Sequence, residues 1–323
     1  MKSISISTLR KEIMRTKIVG VIDIGSNTIR LSLFKSNGET VRNISNEKAT
    51  AGLAGYRKDG SLTKEGIDVL IYTLRGFLSL TSNFEEIETL YPFATASLRN
   101  INNTEEVLER VKEELGIEIE IIEPKMEAYL SYLGASVALD EHTKGILTDI
   151  GGGSSEVVIF DKKIIVDATS IEIGSLSVYK DIVEGLFLTS DDKKRVKKIV
   201  KTHLTYEGFD KYQDREALCG VGGSARATLR MYNHVYSMDP NNMVMDFKKL
   251  KDLLHYLIDM EPKQKMDLIL KVKADRIHTL LPGMSILYEI AKYFSVPQIS
   301  VSNSGVREGY VYYKEIADKK HAN

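Results

Sequence analysis

Two short segments carry the residue types that phosphate chemistry needs: V-I-D-I-G-S-N-T at Val21 to Thr28 and L-T-D-I-G-G-G-S at Leu147 to Ser154. Each reads as strand, aspartate, isoleucine, glycine, small polar turn, strand. A phosphate is bound by backbone N–H groups that converge on it. Glycine with Ser, Asn or Thr lets the backbone close in and adds hydroxyl and amide donors. Gly25, Ser26, Asn27 and Thr28 in the first segment, and Gly151, Gly152, Gly153, Ser154 and Ser155 in the second, are the expected cradle. Asp23 and Asp149, just ahead of the turns, have the chemistry to hold a hydrated divalent cation against phosphate oxygens. Either segment alone would pass for an ordinary hairpin with an Asx-type turn. Their recurrence in the same phase suggests a duplicated domain with a cleft between the copies.

A third glycine cluster, G-V-G-G-S-A-R-A-T at Gly220 to Thr228, follows apolar Ala217 and Leu218 and leads into a helical stretch. It could receive another anion or simply pack a strand-to-helix turn. The six histidines show neither metal-ligand spacing nor a catalytic pairing, which leaves a histidine-based hydrolase without support. The run D-D-K-K-R-V-K-K-I-V-K at Asp191 to Lys201 interleaves Val196, Ile199 and Val200. That is the pattern of an amphipathic helix with a solvated face. A sharper alternative is an electrostatic rim that guides a polyanionic tail.

These residues need elements to position them. Ile18 to Ile22 and Ile29 to Leu33 pattern as two strands around the polar break at Ser26 and Asn27, a β-hairpin with Asp23 near its bend. Ile67, Leu70, Ile71, Leu74, Phe77 and Leu78 keep helical spacing. So do Val107, Leu108, Val111 and Leu115, with Asn103 or Thr104 as N-cap and Gly116 closing the helix. Strands near 90–94 and 117–122 bracket that second helix. Polar Asp140 to Lys144 mark a boundary, after which Ile146 to Phe160 restart the hairpin pattern. Strand Ile164 to Val166, a helix carrying Leu250, Leu253, Leu254 and Leu257, strand Ile299 to Val301 and a closing helix complete an α/β second half.

At 323 residues the chain exceeds the roughly 250–300 residues at which one core stops growing, so two domains are expected. With 43% hydrophobic and 28% charged residues it lies in the ordinary globular range. A net charge of -1 gives no global pull toward nucleic acid or an anionic membrane. The single cysteine, Cys219, excludes an intrachain disulfide framework and indicates a reducing compartment, for which the cytoplasm is the expectation. No segment reads as a membrane span, and residues 1 to 16 read as a short N-terminal extension without a cleavage signal.

The paired D-I-G-S-N-T and D-I-G-G-G-S segments, with what lies between and after them, resemble the exopolyphosphatase and guanosine pentaphosphate phosphohydrolase family of the actin-like ATPase superfold. Also matching are A-T-A-S-L-R-N at Ala94 to Asn100, M-E-A-Y-L-S-Y-L-G-A at Met126 to Ala135, S-I-E-I-G-S at Ser170 to Ser175, R-I-H-T-L-L-P-G-M at Arg276 to Met284 and S-N-S-G-V-R-E-G at Ser302 to Gly309. The resemblance covers Ile18 to about Tyr313. It implies two ribonuclease-H-like domains: residues 17–139 with a returning C-terminal helix at 305–323, and residues 140–304. The active site is expected in the cleft between them. The chain resembles the family's short, two-domain form.

By the same resemblance, Glu127 is the glutamate that positions and deprotonates the attacking water. The residues around it fit: Met126, Leu130, Leu133 and Val137 form an apolar stripe, while small Ser131, Gly134, Ala135 and Ala138 share the face of Glu127. A first-turn glutamate serving the helix dipole is the plain alternative. Arg99 matches an arginine expected to hold phosphate bidentately, and Glu156 another acidic residue of the site. Asp149 is the expected metal-facing carboxylate and Asp23 its counterpart. Several carboxylates beside a polyanion imply Mg²⁺, with Mn²⁺ admissible. The implied substrate is inorganic polyphosphate, or alternatively guanosine pentaphosphate, and a homodimer is plausible from relatives. Three departures bear on affinity: Ser177 stands where the family has an arginine, Asn303 where it has an aspartate, and His278 where it has an acidic residue. They leave open a regulator that binds polyphosphate or alarmone with little turnover. An actin-like ATPase or small-molecule kinase is a further alternative.

Overall fold

The computed structural model describes residues 16–82, 87–136, 139, 143–213 and 215–317. The N-terminal extension to residue 15, positions Val137 and Ala138, most of the polar boundary segment and the last six residues lie outside the described residues. Two compact units divide the chain: residues up to Ile122 together with those from Arg307 onward, and Glu123 to Val306.

In the first unit, β1 (Lys17–Ile24), β2 (Ile29–Ser36) and β3 (Val41–Ala49) form an antiparallel meander. A short ribbon, β4 (Arg57–Lys58) and β5 (Ser61–Leu62), leads to α1 (Lys64–Ser82). Next come β6 (Ile87–Ala94), parallel to β1, then α2 (Ala96–Arg99), α3 (Thr104–Leu115) and β7 (Glu120–Ile121). The sheet order is β3-β2-β1-β6-β7. Its core joins Ile22, Ile24, Ile29 and Leu31 of the hairpin to Leu70, Ile71, Leu74 and Phe77 of α1 and to Val107 and Val111 of α3. Gly116 closes α3 in the left-handed region (φ 69°), its N–H donating to Lys112 O at 2.9 Å. Asn103 occupies the N-cap position, but its amide bonds the Leu62 backbone, with Leu62 N–H donating to Oδ1 at 2.9 Å.

The second unit opens with α4 (Pro124–Ala135), followed by β8 (Lys144–Ile150), β9 (Ser155–Asp161) and β10 (Ile164–Ile171). Then come α5 (Ser175–Asp181), α6 (Ser190–Tyr206), β11 (Ala217–Val221), α7 (Gly222–Val235) and β12 (Val244–Asp246). The unit ends with α8 (Phe247–Asp259), α9 (Pro262–Lys273), α10 (Leu280–Tyr293) and β13 (Gln298–Val301). The sheet order β10-β9-β8-β11-β13-β12 repeats that of the first unit and adds one antiparallel edge strand. In both, a three-strand meander continues through two parallel strands, the ribonuclease-H-like order. The sequence reading set the end of the first domain at 139 and so placed α4 there. Here the helix falls with the second unit, because Ala128, Tyr132 and Ala135 bury against Leu147, Val158, Phe160, Cys219 and Val221 of its sheet.

The chain returns to the first unit through α11 (Val306–Tyr312) and a wider turn to Ala317. Tyr310 stacks on Phe93 with ring centroids 4.7 Å apart and donates to Glu120 Oε2 at 2.6 Å. Glu315, buried, accepts from Tyr91 at 2.8 Å and pairs with Lys17 at 2.7 Å.

Candidate active site

The two glycine turns are built alike. Gly25 N–H donates to Thr28 O at 3.1 Å, and Gly151 N–H donates to Ser154 O at 2.9 Å. A Cβ on Gly25 would lie 2.9 Å from Thr28 O, and one on Gly151 3.1 Å from Ser154 O, so close backbone approach is what selects glycine at both. Each turn is also braced from outside. Gly52 and Ala54 N–H groups donate to Asn27 O and Ser26 O, while Ser175 and Leu176 N–H groups donate to Gly151 O and Gly152 O. These braces hold the turns through their carbonyl oxygens. The I-E-I-G-S segment was visible in the sequence. Its counterpart A-G-L-A-G at Ala51 to Gly55 lies outside the matched motifs, and its glycines are its only sequence signal.

The charges beside the turns differ between the units. Across the first hairpin, Asp23 faces Arg30 and lies 3.9 Å from Arg307 Nε. Across the second, Asp149 faces another carboxylate, Glu156. Arg307 also donates to Ser32 Oγ at 2.5 Å and Asn46 Oδ1 at 2.9 Å, which fixes α11 to the meander. Arg99, at the end of α2, is half-buried and donates to Ile122 O at 2.5 Å, while Ser97 donates to Ile24 O beneath the first turn.

Glu127, 8% exposed, and Glu156, 1% exposed, lie close enough with Asp149 for their charges to couple. Burial pushes the Glu156 carboxyl well above its ordinary range. Repulsion from Glu127 and Asp149 adds to the rise, and hydroxyl donation from Ser154 at 2.9 Å and Ser170 at 3.0 Å opposes it. The buried face of α4 is the one bearing Glu127, Ser131, Gly134 and Ala135, whereas Met126 and Leu133 of the expected stripe are only half-buried. Ser131 Oγ donates to Asp149 Oδ2 at 2.9 Å, tying the helix that carries Glu127 to the strand that carries Asp149.

The third glycine cluster comes to the same carboxylate. Gly222 starts α7 with φ +80°, and a Cβ there would overlap Asp149 Oδ1. Asp149 thus meets the positive end of a 14-residue helix. Beside it, a Cβ on Gly223 would overlap the Arg276 guanidinium. The sequence reading assigned a role to neither Arg276 nor Ser131. Only their place in matched motifs, R-I-H-T and M-E-A-Y-L-S, could have flagged them.

Among the described residues no three His, Cys, Asp or Glu side chains converge into a ready-made metal cage. The donors that do gather are carboxylate oxygens whose mutual repulsion a cation would relieve. Such a set fits a hard divalent ion that completes its shell with phosphate oxygens and water. Two of the departures from the family pattern, Ser177 and His278, have structural roles here through their side chains. Ser177 accepts from Gly174 N–H at 2.8 Å and donates to Gly174 O at 3.1 Å, closing the start of α5. His278 packs its ring 4.6 Å from Tyr179, and the backbone oxygen of exposed Asn303 accepts from Arg226 at 3.4 Å. No helix among the described residues is long and apolar enough to cross a membrane.

A duplicated α/β fold with a braced glycine turn in each copy, and a buried acidic group beside one of them, defines an enzyme of phosphate chemistry. Residues 33–317 match the model of the Ppx/GppA phosphatase family, and the chain belongs to that family. A Haemophilus influenzae relative, provisionally named an exopolyphosphatase, is 23% identical over 92% of this chain and 91% of its own length. The guanosine-5'-triphosphate,3'-diphosphate pyrophosphatase of Photobacterium profundum is 24% identical over 91% of this chain. The match spans only 59% of that protein's length. Among solved structures, an exopolyphosphatase from Cytophaga hutchinsonii superposes with a TM-score of 0.81 at 22% identity, covering 93% of this chain and 98% of that one. At that identity the likeness speaks for the fold.

Proposed function

We propose that the chain hydrolyses the terminal phosphoanhydride bond of inorganic polyphosphate. The observation that carries this reading is the buried glutamate Glu127, set beside Asp149 and Glu156 at the braced turn Gly151–Ser154. In the proposed reaction, Glu127 orients a water and takes its proton as the water oxygen attacks the terminal phosphorus. The bond to the bridging oxygen breaks, and the shortened chain leaves on that oxygen. Turn N–H groups hold the phosphate oxygens, with Ser154 and Ser155 adding hydroxyl donors at the turn beside Glu127. Arg99 is assigned a phosphate contact, and Asp149 the metal. A bound Mg²⁺ would supply charge neutralisation for the phosphate oxygens.

Orthophosphate release from tripolyphosphate and long polyphosphate with Mg²⁺ tests the reading. Glu127→Gln, which keeps the side chain's shape and removes the base, should lower kcat by about 10²–10⁴-fold. Unchanged turnover in that variant would overturn the assignment. The Photobacterium relative's name favours a second substrate, guanosine pentaphosphate. Higher kcat/KM on that nucleotide than on any polyphosphate would make it the principal one.

A further inference from the structure

Three helices of the second unit bring basic side chains to one face. Lys193 and Lys197 project from α6, Lys251 and His255 from α8, and Tyr288 and Lys292 from α10, each pair separated by one helical turn. The Lys193 ammonium meets His255 Nε2 at 2.6 Å and lies 4.9 Å from the centre of the Tyr288 ring, with Lys292 5.7 Å from the same ring. Beneath them Glu289 is 5% exposed. The acids around this face are Glu289 and, beside His255, Asp252 and Asp259.

The balance is uneven in a chain whose net charge is only -1. Within α6, six Lys and Arg residues stand against two aspartates, and one of these, Asp192, is engaged in the N-cap with Thr189. Burial and the neighbouring ammoniums of Lys292, Lys251 and Lys197 press the Lys193 pKa down despite Glu289. Like charges gathered this way carry a standing repulsion that a bound polyanion would relieve. The face also connects to the site through one rigid element. Gly283, near the start of α10, packs against Ser224 and Ser175 at the glycine loops, and Tyr288 and Lys292 follow five and nine residues later. At 1.5 Å per residue they stand roughly 7–14 Å farther along the axis.

We propose that this face of α6, α8 and α10 is a secondary binding site for the tail of a linear condensed phosphate whose end is processed at the acidic group. The inference rests on the polyphosphate reading for its substrate. Ammoniums on flexible stems suit such a chain, because they neutralise it without demanding one register.

The test replaces Lys193, Lys197, Lys251 and Lys292 together with Gln and compares long polyphosphate with tripolyphosphate. The long-chain KM should rise by about tenfold at low salt and lose most of its salt dependence, with tripolyphosphate kcat/KM within about twofold of the parent. Equal shifts for both lengths, or none, overturn the proposal. Lys197→Gln and Lys251→Gln, both at exposed positions, provide smaller versions if the fourfold variant does not fold. The corresponding Lys→Arg set should retain long-chain affinity. Direct binding of labelled long polyphosphate to Glu127→Gln protein separates this inference from the activity. If that binding weakens in the lysine variants the face is a polyphosphate site whatever the turnover. If single-stranded DNA of equal charge binds there as tightly, the specific proposal fails.

Discussion

Asp149 is held from more than one side, and this makes its position sensitive to small changes elsewhere. Ser131 donates to one carboxylate oxygen, and Gly222 leaves room for the other. Gly222→Ala would place a methyl group on Asp149 Oδ1 and also strain a backbone at φ +80°. A displacement of about 1 Å at a reacting centre costs roughly 10²-fold, so kcat should fall by about that factor with a smaller change in substrate affinity. Gly76→Ala, in α1 with open space around it, is the matched control and should leave kinetics unchanged. If the two variants behave alike, Gly222 does not position Asp149.

Glu289 gives a pH prediction at the same scale. Burial raises its pKa, although Lys292, Lys193 and Lys197 oppose the shift. A carboxyl with a raised folded-state pKa binds more protons in the folded chain than in the unfolded one. Stability therefore falls as pH rises from the unfolded value, about 4.3, through the folded one. Glu289→Gln should be more stable than the parent above that window and gain progressively less below it, measured by chemical denaturation from pH 4 to 8. A gap of constant size across the range would assign the effect to packing.

At the scale of elements, helix starts are set by side chains that a sequence displays. Thr189 and Asp192 form a reciprocal cap on α6: Thr189 N–H donates to Asp192 Oδ2 at 2.9 Å, and Asp192 N–H to Thr189 Oγ1 at 3.2 Å. Thr189→Ala should cost about 1–2 kcal/mol in chemical denaturation, because it also removes a hydroxyl donor from buried Asp192. A loss near zero would mean that packing of Val196, Val200 and Leu204 alone holds the helix start. Such local signals explain what was legible. The hairpins at Asp23 and Asp149, α1, α3 with its Gly116 stop and the basic helix α6 all follow from periodicity and caps within one segment. The brace at Gly52 and Ala54, the approach of Arg276 to Gly223 and the seating of α4 on the second sheet were not legible, since each depends on residues far apart in sequence. The difference between Glu156, which faces Asp149, and Arg30, which faces Asp23 in the same register, was in the sequence, yet its meaning emerges only with the strand pairing.

For the molecule as a whole, the long return of the chain to its first unit decides how stability is distributed. Two units with separate cores need not unfold as one, so a single melting temperature would average over unlike events. Tyr310, 2% exposed, supplies both a stacked ring on Phe93 and, across 190 residues of sequence, a donor to Glu120. Tyr310→Ala should cost roughly 3–5 kcal/mol, the range for emptying a large aromatic site. The loss should be local: amide exchange should quicken in β1, β6 and β7 while β8, β9 and β11, within a different core, keep their protection. Equal acceleration in both units would show that they share one cooperative transition. Unchanged exchange in β6 would mean that the returning helix adds little to the unit it joins.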